Sequence, residues 1–177
     1  MNLPNKLTML RIIAIPFFAA VLLGNFLPYS NLIAAAIFAL AAFTDWLDGY
    51  LARKMNLVTN FGKFADPLAD KLLVAAALIC FVELKSLAAW VVIIMISREF
   101  IVTGLRLLAA DKNIVLAADF SGKLKTATQM VMIIFILLDF SFFGADIVKN
   151  VLVIASVVFS LYSCCEYIVK NRKVFSA

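Results

Sequence analysis

The sequence has no histidine, few charged residues and no linker rich in proline, glycine or serine. Without histidine, imidazole acid–base chemistry and zinc sites of the His-Glu-x-x-His type are excluded, so proton transfer must use a carboxylate, lysine, tyrosine or water. The three cysteines form no Cys-x-x-Cys pair and lie in apolar segments, which is typical of small buried side chains. The absence of a linker predicts a single domain over residues 1–177.

Apolar residues dominate the chain. They make up 65% of it against 15% charged residues, with a mean hydropathy of +1.05, whereas soluble domains average about 45–50% apolar and about 25% charged residues. The apolar residues form six blocks, each near the length that crosses a bilayer. Because lipid offers no partner to an open backbone, we expect an all-α integral membrane protein with six transmembrane helices. The predicted spans are Leu7–Leu27, Leu32–Ala52, Asp66–Leu84, Leu87–Leu108, Lys123–Leu138 and Ile147–Val169.

The basic residues are unevenly distributed between the two sides that six spans define. Of the 16 lysines and arginines, only Lys85 and Lys149 fall on the side away from the termini. The positive-inside rule therefore predicts that both termini lie in the cytoplasm. The net charge of +5 is therefore concentrated on the predicted cytoplasmic face. Anionic lipid or phosphate is the expected partner of this face, and nucleic acid is not.

Four aspartates lie close together in the chain: Asp45, Asp48, Asp66 and Asp70. On helices, the three-residue and four-residue spacings place each pair on one face. Asp45 precedes Arg53 by eight residues, or about 12 Å along a helix, and is therefore expected below the level of the lipid headgroups. An uncompensated acid at that depth raises the free energy of membrane insertion by about 2.5–3.5 kcal/mol. Divalent cations would neutralise such a group, and oxygen ligands without histidine or thiolate favour Mg²⁺ or Mn²⁺.

An alternative interpretation of these acids is structural. They could pair with Arg53, Lys63 and Lys71, but three bases leave one acid uncompensated, and acids inside a membrane protein are usually functional. Gly49 and Gly62 stand beside the acids, where a bulky ligand would have to approach the backbone closely and a side chain would obstruct it. Ordinary packing of small residues between helices also explains these glycines.

A second group of polar residues could surround a phosphate group. Its members are Thr8, Arg11, Arg98, Arg106, Lys123 and Lys125. Arg98 and Arg106 stand in an otherwise apolar span, and the two lysines stand at a helix start that itself favours an anion. A ligand that carries a phosphate is therefore favoured. The alternative for Arg11 and Lys125 is that they extend to anionic headgroups and fix the topology.

The motif Asp-x2-Asp-Gly-x2-Ala-Arg-x8-Gly-x3-Asp-x3-Asp, from Asp45 to Asp70, resembles the signature of the CDP-alcohol phosphotransferases at all eight fixed positions. This resemblance implies a six-helix fold, usually a homodimer, with a cytoplasm-facing cavity that holds two metal ions. It implies metal ligation by Asp45, Asp48, Asp66 and Asp70, with Asp70 also the general base; the residues alone do not assign the base. It further implies that the CDP moiety contacts Asp48, Gly49, Ala52, Arg53, Gly62 and Asp66.

A closer resemblance within that family extends over nearly the whole chain. It is carried by the segments Pro4–Thr8, Val58–Lys71, Arg98–Arg106 and Gly122–Thr126. It implies an enzyme of the bacterial cytoplasmic membrane, with its active site facing the cytoplasm, that uses CDP-diacylglycerol and glycerol 3-phosphate and releases CMP. The phosphate-binding residues named above are then expected to bind the phosphate of the acceptor, which favours an acceptor with its own phosphate over serine or inositol.

Two other functions stay open from the sequence. The first is the same chemistry with another acceptor, such as inositol phosphate or serine. The second is a divalent-cation or proton-coupled transporter, whose charges should lie near the bilayer midplane with a path to both faces. The outer halves of the predicted spans are almost free of charge, which argues against transport.

Overall fold

The computed structural model describes the backbone of residues 3–24, 26, 28–54, 60–111 and 120–172, and the side chains of residues 7–24, 26, 28–44, 68–69, 71–109 and 120–172. Over this part of the chain the structure has six helices and no strand, which confirms the all-α prediction. The helices are α1 Leu3–Gly24, α2 Ser30–Lys54, α3 Asn60–Glu83, α4 Ala89–Asp111, α5 Phe120–Leu138 and α6 Ala145–Lys170.

The helices extend beyond the predicted spans at several ends. Helix α1 begins at Leu3, four residues before its predicted span, and α3 begins at Asn60, six residues before its span. Hydropathy marks the part of a helix that suits lipid, whereas backbone hydrogen bonding continues into its polar ends. At the other end of α1, a Cβ on Gly24 would overlap the ring of Phe26, so this glycine leaves room for that ring.

Three helices of the described chain are long and apolar enough to cross a membrane. The qualifying segments are Leu7–Gly24, Phe120–Leu138 and Ala145–Lys170, and Ser30–Thr44 is a shorter apolar segment. Large apolar side chains such as Phe17, which is 64% exposed, lie on the outside of these helices, as expected where lipid replaces water. The number of six spans stays a prediction.

The chain divides into two compact units, and the first contains α1, α2 and α3. Helix α1 packs against both α2 and α3. The rings of Phe18 and Phe38 are fully buried, with centroids 6.0 Å apart. Small buried residues on α2, among them Ala34 and Ala41, let its backbone approach its neighbours closely.

The second unit contains α4, α6 and helix α5 as far as Ile136. Helix α4 packs against α6 through a cluster of buried side chains, Val102, Leu105, Cys164 and Tyr167. Helix α5 is joined to α4 by polar side chains: Lys125 contacts Glu99, and the buried Gln129 amide lies 4.0 Å from the sulfur of Met95.

The burial expected of the cysteines is confirmed for two of the three. Cys80 and Cys164 are buried, whereas Cys165 is exposed. Successive residues of an α-helix point about 100° apart, so Cys164 and Cys165 do not share a face. The prediction was wrong for Cys165, because an apolar neighbourhood in sequence does not distinguish the packed side of a helix from its outer side.

Candidate active site

The aspartates that the sequence predicts as metal ligands lie within helices of the first unit. Helix α2 continues through Asp45 and Asp48 to Lys54, and α3 contains Asp66 and Asp70. Each pair therefore has the continuous helical backbone on which its spacing argument depends. The following motif residues lie outside the described side chains, and their roles stay predictions: Asp45, Asp48, Gly49, Ala52, Arg53, Gly62, Asp66 and Asp70.

Arg11 links α1 to α2 one helical turn before Asp45. Its Nε donates a hydrogen bond to the carbonyl oxygen of Ala41 at 3.1 Å, and the Thr44 hydroxyl donates to the same oxygen at 2.8 Å. Arg11 is only 2% exposed, and Thr8, one turn earlier on α1, is fully buried. A charge-assisted hydrogen bond to a helix carbonyl is stronger than a neutral one, so Arg11 fixes α1 at the part of α2 where the motif begins.

Two more of the predicted acceptor residues, Arg98 and Lys125, meet at one carboxylate. Oε1 of Glu99 lies 3.3 Å from Nη1 of Arg98 and also accepts a hydrogen bond from Nζ of Lys125. Nη2 of Arg98 donates to the hydroxyl of Ser163 on α6. The side chains of Arg98 and Lys125 are 10% and 3% exposed, so this is a largely buried charge cluster that connects all three helices of the second unit.

Arg106 lies two turns beyond Arg98 on α4 and has a different environment. Its Nε donates to the Tyr167 hydroxyl at 3.2 Å, and its guanidinium carbon lies 5.5 Å from the centre of the tyrosine ring. Tyr167 is buried, whereas Arg106 is exposed. One edge of the guanidinium is thus held by the protein, and both Nη atoms are available to a ligand.

The six predicted acceptor residues are divided between the two units. Thr8 and Arg11 belong to the first unit, whereas the other four belong to the second. Among those four, Arg98 and Lys125 are brought together by Glu99. Lys123 is exposed and has no hydrogen bond or ion pair with a described residue.

Two residues of α6 that were not predicted from the sequence, Ser163 and Tyr167, hold Arg98 and Arg106. A signal for them was present. Ser156, Ser160, Ser163 and Tyr167 are spaced by four, three and four residues, which places them on one face of an otherwise apolar helix. All four are buried. A polar stripe of this kind indicates the packed side of a membrane helix.

The donor set of the motif suits a hard divalent cation. The described side chains contain no group of three histidine, cysteine, aspartate or glutamate residues able to hold a metal, so the motif aspartates are the candidate ligands. Four carboxylates without histidine or thiolate match the oxygen ligands that Mg²⁺ and Mn²⁺ prefer.

The described structure combines apolar helices of bilayer length with two helices that each contain an aspartate pair. The sequence profile of the CDP-alcohol phosphatidyltransferases matches residues 1–162. The chain belongs to this family of enzymes, which generally depend on divalent metal ions.

The chain is also similar to individual enzymes of phospholipid biosynthesis, each named CDP-diacylglycerol–glycerol-3-phosphate 3-phosphatidyltransferase. The Bacillus subtilis (strain 168) enzyme is 47% identical over 187 aligned residues, which cover 96% of this chain and 95% of that protein. The Wigglesworthia glossinidia brevipalpis enzyme is 46% identical over 140 residues, or 75% of each chain. The Shigella flexneri serotype 5b enzyme is 39% identical over 178 residues, or 97% of this chain and 95% of that one.

Proposed function

We propose that this enzyme transfers the phosphatidyl group of CDP-diacylglycerol to glycerol 3-phosphate and forms phosphatidylglycerol phosphate and CMP. The observation that carries the proposal is 47% identity, over 96% of the chain, to a protein named for this reaction. The eight fixed motif positions from Asp45 to Asp70 supply the residues that the chemistry needs.

The aspartates supply the metal and proton chemistry of this reaction. Asp45, Asp48, Asp66 and Asp70 would hold two ions of Mg²⁺ or Mn²⁺, which when bound neutralise the diphosphate and stabilise the CMP leaving group. Asp70 accepts the proton of the acceptor hydroxyl. The acceptor oxygen then bonds to the phosphorus that carries diacylglycerol, and the bond between that phosphorus and the oxygen of CMP breaks.

The CDP moiety is bound by residues around the aspartate pairs. Arg53 presents a planar fork of donors that suits the diphosphate oxygens. Gly49, Ala52 and Gly62 leave room for the nucleotide beside Asp48 and Asp66, because small residues allow a ligand to approach the helix backbone.

The acceptor's phosphate is bound by the basic side chains. Arg106 supports this role because it is exposed and keeps both Nη atoms available beside Tyr167. Lys123 is exposed at the first turn of α5, where the free amides of the helix also attract an anion. Arg98, Lys125, Thr8 and Arg11 complete the proposed set.

We also propose the membrane arrangement that this reaction requires. It has six spans, both termini in the cytoplasm and a cavity open to the cytoplasmic side of a bacterial membrane, where CDP-diacylglycerol lies in the bilayer and glycerol 3-phosphate arrives from water. The concentration of basic residues on one side of the predicted spans supports this orientation. The active form is proposed to be a homodimer.

The test is an acceptor panel with purified protein and CDP-diacylglycerol in mixed micelles. Glycerol 3-phosphate, glycerol, serine, inositol and inositol phosphate are each supplied with Mg²⁺, with Mn²⁺, or with a chelator. We expect CMP and phosphatidylglycerol phosphate with glycerol 3-phosphate and either metal, and no CMP with the chelator. Glycerol is the matched control for the acceptor's phosphate. Faster CMP release with serine or inositol phosphate would assign another acceptor, and undiminished release with the chelator would contradict the metal site.

A further inference from the structure

Four phenylalanines gather where α5 ends and the chain turns into α6. Phe135 lies in the last turn of α5, and Phe140, Phe142 and Phe143 lie in the six-residue segment 139–144 between the two helices. The ring centroids of Phe135, Phe140 and Phe142 are 5.2 to 6.4 Å apart in pairs, within the range of favourable aromatic contacts. These three rings form one cluster, of which Phe140 and Phe142 are exposed on their outer sides.

Phe143 occupies the apex of the turn and makes no ring contact with this cluster. The amide of Ala145 donates a hydrogen bond to the carbonyl oxygen of Phe142 at 3.0 Å, so Phe143 and Gly144 are the two central residues of a turn. Gly144 has φ 91° and ψ 2°, the conformation that a type II turn requires at its second central position and that glycine adopts without strain. The Phe143 side chain is fully exposed.

The helices on both sides of this segment place it at a membrane surface. Phe120–Leu138 and Ala145–Lys170 are both long and apolar enough to cross a bilayer. The 19 residues of α5 rise about 28 Å, close to the ~30 Å thickness of the hydrocarbon core. Phe143 precedes the first residue of α6 by only two positions, so its backbone lies within about 7 Å of that helix end. The apex of the turn is therefore at the boundary between lipid and water.

The chemistry of the segment favours lipid as the surroundings of Phe143. A large apolar side chain is unfavourable in water, and phenylalanine lacks the hydroxyl or N–H group with which tyrosine and tryptophan stay at the headgroup level. A stable protein interface buries about 800 Å² on each partner, more than one short turn offers by itself, whereas an acyl chain needs no such area. Nearby polar groups are satisfied in another way, since Lys149 pairs with Asp146 at 3.1 Å.

We propose that Phe143 inserts among the lipid acyl chains at this end of α5, and that the cluster of Phe135, Phe140 and Phe142 supports the turn that presents it. In the proposed orientation this is the outer leaflet, on the side away from the termini. The turn is then an anchor that holds the end of α5 at the lipid boundary. This inference does not depend on the acceptor or on the reaction.

The first measurement uses a nitroxide on a single cysteine, in a variant without Cys80, Cys164 and Cys165. Phe143→Cys is compared with Asp146→Cys in liposomes of phosphatidylglycerol and phosphatidylethanolamine. The spin relaxation is measured with oxygen, which concentrates among the acyl chains, and with a nickel chelate, which stays in water. We expect oxygen to relax the label at position 143 more than the chelate does. The reverse is expected at position 146, because the Asp146 side chain is 90% exposed and charged.

A second measurement retains the native cysteines. The emission of Phe143→Trp, after subtraction of the emission of the unaltered protein, should be quenched by lipids brominated on their acyl chains and little affected by iodide in the water. Asp146→Trp is the matched control and should show the opposite pattern. Circular dichroism that matches the unaltered protein shows that each variant is folded.

Two outcomes would overturn the proposal. Stronger relaxation by the nickel chelate at position 143, or quenching of Phe143→Trp by iodide, would place the side chain in water. Weak relaxation by both reagents would place it against protein, such as a second copy of the chain. Neither measurement uses CMP release, so the result is independent of whether glycerol 3-phosphate is the acceptor.

Discussion

At the scale of single residues, the two arginines of α4 are held in opposite ways. Arg98 is 8% exposed and directs both Nη atoms to protein partners, Glu99 and Ser163. Arg106 is exposed and bonds through Nε to Tyr167, which leaves its terminal fork available. Because bidentate phosphate recognition uses that fork, Arg106 is suited to touch the acceptor directly, whereas Arg98 is suited to shape the site.

The first residue-scale prediction concerns Arg106. Arg106→Ala should raise the KM for glycerol 3-phosphate and change kcat little, because the guanidinium binds the phosphate in the ground state and the transition state alike. Tyr167→Phe keeps the ring but removes the hydroxyl that orients Nε, so it should raise the same KM by about threefold to tenfold. Steady-state CMP release measures both effects.

Tyr162→Phe provides the control for the tyrosine variant. Tyr162 lies on the same helix, is 60% exposed and has no described hydrogen bond. Its loss of a hydroxyl should leave the KM for glycerol 3-phosphate unchanged. An unchanged KM in Arg106→Ala would remove Arg106 from the acceptor site.

The second residue-scale prediction concerns the motif acids. Asp70→Asn removes the proposed proton acceptor and should lower CMP release about 10²–10⁴-fold. Asp66→Asn should also lower CMP release, because it weakens metal binding. The helix content should be unchanged in both variants. Circular dichroism of the purified variants checks the fold.

Asp146→Asn is the matched control for these substitutions. The Asp146 side chain is 90% exposed at the start of α6, and its ion pair with Lys149 is on the surface, where such pairs contribute little. It should keep normal turnover. Near-normal CMP release by Asp66→Asn or Asp70→Asn would refute the metal and base assignment.

At the scale of elements, α6 packs through a polar face. Ser156, Ser160 and Ser163 are at most 1% exposed, yet only Ser163 has a described side-chain partner, Nη2 of Arg98. The hydroxyls of Ser156 and Ser160 have no hydrogen-bond partner among the described residues. Small side chains allow helices to approach closely whether or not the hydroxyl is bonded, so the three serines should contribute unequally to stability.

This inequality is directly measurable. Ser163→Ala leaves a buried Arg98 donor without its partner and should lower the free energy of unfolding by about 1–3 kcal/mol. Ser160→Ala, on the same face and equally buried, removes an unpartnered hydroxyl and should be neutral or slightly stabilising. Unfolding in detergent, followed by circular dichroism, compares the two. Equal losses in both variants would contradict the assigned role of the Arg98–Ser163 contact.

At the scale of the whole molecule, charge asymmetry determines the expected orientation. Only two of the 16 basic residues, Lys85 and Lys149, lie on the side away from the termini in a six-span arrangement. Moving the basic loops across the bilayer is unfavourable, so the asymmetry selects one orientation. The proposed substrate glycerol 3-phosphate is charged and water-soluble, so the proposed cavity must open to water on this face.

Cysteine labelling tests this orientation. In a variant without Cys80, Cys164 and Cys165, single cysteines replace Ser141, in the exposed segment before α6, or Arg172, just after α6. A membrane-impermeant maleimide should label the Ser141→Cys variant in intact cells, and the Arg172→Cys variant only after permeabilisation. Retained CMP release shows that each variant is folded. The reverse labelling pattern would contradict the cytoplasmic placement of the termini.

Much of this molecule was predictable from local patterns. The all-α class followed from apolar blocks of bilayer length, and each aspartate pair was correctly expected within one helix. Cys165 shows the limit of such patterns, since it was expected to be buried and is exposed. A helix that is apolar all round carries no amphipathic stripe, so the sequence does not indicate which side packs against protein.

The sequence by itself determined the helices, the motif and the family, because these depend on composition and on spacings along a contiguous chain. Tertiary structure alone decided that Lys125 meets Glu99, 26 residues away, and that Ser163 and Tyr167 hold arginines 65 and 61 residues away. Those contacts depend on how each helix is rotated about its axis, and side-chain packing between helices fixes that rotation.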